Sequence, residues 1–93
     1  MSRSDTENWY TSALNNFKRI RSRHAKSDPC SLIEHYTDVV AEATTAAAIG
    51  HNIESDIPGV ERFAKAADQL TSTATRAQRG AVKACSLGIR RRG

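Results

Sequence analysis

Cys30 has the best local setting for chemistry in this 93-residue chain. It follows an Asp-Pro pair that opens a helix, where the helix dipole lowers a thiol pKa, and His24 and His35 are near in sequence. No glycine-rich oxyanion or phosphate loop accompanies it, so nucleophilic catalysis is not the reading. Metal binding fails on spacing. His24, His35, His51, Cys30 and Cys85 include no pair at i, i+3 or i, i+4, and the two cysteines stand 55 positions apart, neither a zinc nor a redox CxxC spacing. Glu34, Asp38 and Glu42 recur every four residues on one helix face, which describes a solvated stripe and not an acid/base pair with one member buried. The chain is expected to be no enzyme and to need no cofactor.

The most ordered series of chemically capable residues is basic and polar. Arg62, Lys65, Gln69, Ser72, Arg76, Arg79, Lys83, Ser86 and Arg90 follow one another at steps of three and four, with no acidic or apolar residue among them. As a helix, Arg62 to Arg90 would span roughly 40 Å. A second series, Val60, Phe63, Ala67, Leu70, Ala74, Ala77, Ala81 and Ala84, marks an apolar seam elsewhere on the same cylinder. A row of cations of that length suits a phosphate backbone, bound by counterion release without reading base sequence. Arg91 and Arg92 extend it, and Lys18, Arg19, Arg23 and Lys26 would join if the end of the first helix lies beside the last. Gln69, Gln78, Ser72 and Ser86 could donate to phosphate or ribose oxygens, which favours a duplex, double-stranded RNA included. Trp9, Tyr10 and Phe17 read as core residues, which leaves little for stacking single-stranded bases.

Charge is arranged in blocks around a net +4. Residues 1–26 carry six Lys/Arg against Asp5 and Glu7. Residues 27–61 carry seven carboxylates and no Lys or Arg, and residues 62–93 carry eight Lys/Arg against Asp68. Two readings compete for this pattern. The basic ridge meets a polyanion, or the chain is an interaction module that binds an acidic protein surface or itself. A third use of the charge, neutralisation of the ridge by the central carboxylates within one bundle, would remove the first reading.

The elements that must position these residues are helices. Ser4-Asp5-Thr6-Glu7 has the form of a capping box and opens helix one, about 5–25. Ser27-Asp28-Pro29 breaks the chain and restarts it as helix two, about 29–49, stopped by Gly50. Ile53 and Ile57 fold over the core from a connector, and Pro58 opens helix three, about 58–87, with Gly80 as a point of bending and Gly88 as a fraying end. The expectation is a single all-α domain over 1–93, a small three-helix antiparallel bundle with a long C-terminal helix, a short tail at 1–4 and a basic tail at 89–93. So thin a core suggests pairing of alanine-rich surfaces in a homodimer. There is no apolar run long enough to span a bilayer and no signal-peptide pattern, so an intracellular, soluble and cytoplasmic setting is expected, with Cys30 and Cys85 at the same end of the bundle, reduced and packed as small hydrophobes in preference to paired by oxidation.

Overall fold

The fold is all-α: a computed structural model describes residues 4–23 and 28–92, of 89–92 the backbone only, and among them there is no strand. Three helices follow in order, α1 (Asp5–Arg23), α2 (Pro29–Asn52) and α3 (Val60–Arg92). No helix among the described residues is long and apolar enough to cross a membrane. α2 is the central element and packs most heavily against α3, next against α1, while α1 and α3 touch more lightly. Early residues of each helix meet late residues of the next. Thr6 reaches Glu54, Asn16 reaches Glu42, Gln78 reaches Thr37, and Cys85 reaches Cys30.

The first two helices begin where a side chain takes up free N–H groups. Ser4 Oγ accepts from the Glu7 N–H at 3.1 Å, which is one arm of the expected capping box. The Asp5 and Thr6 N–H groups instead donate to the carboxylate of Glu54, 49 and 48 residues away. Asp28 caps α2 through the Cys30 N–H, with Pro29 just inside. α3 starts at Val60 and not at Pro58 because Gly59 has φ 84°, a left-handed backbone that closes the connector and cannot continue a helix.

Gly50 is not the stop that its type suggests. α2 runs through it to Asn52, and the residue is buried where three elements meet. A Cβ there would lie 2.7 Å from the Ala64 Cβ and 2.9 Å from the Thr6 Cγ2, so only glycine allows this approach. Gly80 and Gly88 interrupt nothing, and α3 continues to Arg92, through the stretch expected as a tail.

The core is narrow and alanine-rich. Ala13, Phe17, Ile20, Leu32, Tyr36, Val39, Ala43, Leu70, Ala74 and Ala81 form its main cluster, and Ala46, Ala47 and Ala67 a second one near the Gly50 contact. Small side chains at a helix contact set a short interaxial distance, which is how so few large residues close three helices. Four alanines of α3, Ala64, Ala67, Ala74 and Ala81, are buried against the chain's own neighbours, while Ala84 stays exposed. Trp9 was expected inside but is 42% exposed, and Ile53 and Ile57 stand out to solvent instead of folding over the core, Ile53 at 74%. They sit where the chain leaves the bundle and no further element lies over them.

The two cysteines correct another expectation. Cys30 and Cys85 are not packed thiols but a disulfide, with Cα atoms 4.8 Å apart. It joins the first turn of α2 to α3, only a few residues beyond Ala81, the last buried residue of that helix among those described.

Candidate nucleic-acid interface

α3 places its basic residues by simple rotation. With about 100° per residue, Arg62, Lys65, Arg76, Arg79 and Lys83 centre roughly 180° around the helix from the buried seam of Val60, Ala64, Ala67, Leu70, Ala74 and Ala81. All five basic residues are exposed, and so are Gln69, Ser72 and Ser86 between them. From Arg62 to Lys83 the ridge runs roughly 32 Å.

The carboxylates that could have neutralised it are engaged elsewhere or point elsewhere. Glu54 holds the N-terminus of α1. Its pKa lies below the usual glutamate value, chiefly because the Thr6 hydroxyl donates to the charged form (2.6 Å), with the Thr6 and Asp5 N–H groups adding to this against a small opposing effect of burial. Glu42 accepts from Asn16 at 2.7 Å and from the Ser12 hydroxyl on α1. Asp28 is a helix cap, and Asp68 meets His51 at 2.8 Å. Lys65 pairs with Glu61 one turn back on its own helix, at 3.2 Å, an exposed contact worth little. Arg62 lies over the Phe63 ring, 4.9 Å from its centroid, which leaves its N–H edges open. Among the described residues no carboxylate lies within ion-pair distance of Arg62, Arg76, Arg79 or Lys83. Among the described residues the pair of Lys65 with Glu61 is the one point at which the central acidic block meets this ridge.

No family model, curated protein or solved structure matches this chain. Its site therefore has to be judged on geometry alone.

The other basic residues divide. Lys18, Arg19 and Arg23 are exposed on α1, but Arg19 and Arg23 line a groove between α1 and α2 with no residue of α3 in its lining among those described. They do not extend the ridge, contrary to expectation. Lys26 lies outside the described residues, as do the side chains of Arg90, Arg91 and Arg92, though α3 carries their backbone onward in the same rod. Sequence reasoning passed over Arg21. Its guanidinium stacks over Phe17, 5.8 Å from the ring centroid, and it shares a cleft with Thr73 and Ala77 of α3. It is the cation of α1 that sits beside the last helix. Its position could have been read from the spacing to Phe17, four residues earlier on the same face.

Gln78, offered as a phosphate donor, is committed inward. Its amide donates to the Ile33 carbonyl at 3.1 Å and to the Thr37 hydroxyl at 2.5 Å, bridging α3 to α2. Among the described residues no three His, Cys, Asp or Glu side chains gather as a metal site.

Proposed function

We propose that this chain is a non-enzymatic protein that grips the phosphate backbone of nucleic acid, duplex in preference to single strand and without base sequence readout. The observation that carries the reading is the exposed ridge of α3, set opposite the buried seam and, among the described residues, without carboxylate partners at Arg62, Arg76, Arg79 and Lys83. Cations along one face of a straight rod track a backbone and displace its counterions. Gln69 and Ser72 lie between the two basic clusters and can donate to phosphate or ribose oxygens, the kind of contact made to double-stranded RNA. Arg21 replaces Arg19 and Arg23 as the contribution of α1.

The test is direct. Arg76→Ala, Arg79→Ala and Lys83→Ala together should leave the helical circular dichroism intact, since all three are exposed. They should weaken binding to mixed-sequence duplex RNA or DNA at least about tenfold and flatten the dependence of log K on log salt by about 3. Unchanged affinity would place the contact surface elsewhere.

A second reading has one observation in its favour. Glu34 and Asp38 are exposed on α2 and have no ion-pair partner among the described residues. An antiparallel bundle with a basic face on α3 and an acidic face on α2 can pair with a second copy, each ridge against the other's acidic stripe, as a homodimeric interaction module. Sedimentation at low and at high salt separates the two: a salt-sensitive dimer that binds no polyanion supports the second. As for setting, the Cys30–Cys85 disulfide favours an oxidising environment over the reducing cytoplasm expected from the sequence.

A further inference from the structure

We infer that the groove between α1 and α2 is a binding site for a small organic phosphate, separate from the ridge on α3. The groove encloses about 460 Å³, within the range of small-molecule sites. Its α1 wall carries Arg19 and Arg23, which are one helical turn apart and so side by side. Its α2 wall carries His35 and Asp38, and its floor is Ile20 and Leu32, both buried.

What distinguishes this groove from an ordinary crease between helices is charge that faces inward and stays apart. Among the described residues neither Arg19 nor Arg23 has a carboxylate in ion-pair distance, although Asp38 lines the same space. The Arg19 guanidinium makes a long 3.5 Å contact to Asn16. Glu42, the other carboxylate of the groove, is held by Ser12 and Asn16. Two guanidinium forks side by side match the oxygens of one phosphomonoester, and His35, which lines the same groove, offers a further donor. Asp38 is then free to accept from a hydroxyl or amine at the far end of the ligand, and the apolar floor suits a flat or aliphatic body between the two. Acid, apolar body and donor together describe a mononucleotide-like phosphate. A simple anion would leave Asp38 without a use and the floor uncovered.

The experiment is a titration of the ¹⁵N-labelled full chain with adenosine monophosphate, inorganic phosphate and adenosine, followed by amide shifts. The expected result is saturable shifts around Ile20, Leu32 and His35 with the monophosphate, weaker ones with either fragment. Arg19→Ala with Arg23→Ala should lose at least tenfold in affinity. Asp38→Asn should narrow the advantage of the nucleotide over inorganic phosphate. The triple change at Arg76, Arg79 and Lys83 should leave all of this intact, so loss of the ridge reading and loss of this one are told apart. All these residues are exposed, and unchanged circular dichroism confirms that each variant folds. Shifts confined to α3, or an affinity indifferent to Arg19 and Arg23, would overturn the proposal.

Discussion

Glu54 shows how much one side chain in a connector can do. It accepts two backbone N–H groups and one hydroxyl from the first turn of α1, so the start of the chain is tied to the α2–α3 link by a single carboxylate. Those donors stabilise the charged form, and the folded-state pKa is depressed below the ordinary glutamate value. The sign follows from linkage. A depressed carboxylate contributes stability that is fully present above its unfolded pKa and is lost as pH falls through its folded pKa. Glu54→Gln should therefore lower the melting temperature at neutral pH, and the gap between variant and parent should shrink as the pH is taken below the usual carboxylate range. Thermal melts at pH 7, 5 and 3 check this, and a gap that stays constant with pH would show that the carboxylate's charge is not what matters. No local pattern points to this contact. Ser4 and Glu7 carry a recognisable cap within four residues, but Glu54 comes from 48 residues away, and sequence gives no hint of such a partner.

At the scale of the helices, spacing was a good guide and residue type a poorer one. The basic and apolar series of α3 were legible because both follow from the same helical repeat: once Val60, Ala67, Leu70, Ala74 and Ala81 face inward, Arg76, Arg79 and Lys83 must face out. Glycines were misread because a glycine that ends a helix and one that lets two helices touch look alike in sequence. Gly50 is of the second kind. Gly50→Ala should force Thr6 and Ala64 apart and cost about 1–3 kcal/mol, the usual penalty of overpacking. Gly80 is the control: it is exposed, inside a helix and with no atom near its missing Cβ, so Gly80→Ala should raise stability by about 0.5–1 kcal/mol. Urea unfolding of the two variants gives both signs in one experiment. Equal effects would mean that the Gly50 approach is looser than its distances. Trp9 was misplaced for a related reason, since the periodicity that put it on the edge of the apolar face of α1 does not say how wide a face its neighbours cover.

For the whole molecule, the charges and the disulfide solve two different problems. Asp28 and Glu54 of the central acidic block cap helices and Glu42 holds α1 against α2, while Arg62, Arg76, Arg79 and Lys83 face water along a body 54 Å in its longest dimension. A rod of that length has a weak half. Every buried residue of α3 among those described lies at or before Ala81, and Val82, Lys83 and Ala84 are exposed. Beyond the core the helix is held by the bond from Cys85 to Cys30, and that bond closes a loop of 55 residues. The sequence placed the two cysteines at the same end of the bundle but did not show them paired, because pairing depends on redox setting and on a fit of a few ångströms. In the chain-entropy account a loop of this length is worth about 4 kcal/mol. Cys30→Ser with Cys85→Ser should therefore lower the unfolding free energy by up to about that amount. For a domain of this size that is a large share of a total of about 5–15 kcal/mol. The loss should also be uneven. Amide exchange should speed up most in α3 from about Arg79 onward, where no core lies under the helix, and least around Ala64 to Ala74, where Gly50, Ala46 and Ala47 still pack. Because Arg79 and Lys83 ride on the released half, duplex binding by the reduced or serine form should weaken, though less than in the triple alanine variant. An unfolding midpoint within about 1 kcal/mol of the parent, with exchange unchanged beyond Arg79, would mean that α3 keeps its length without the clamp.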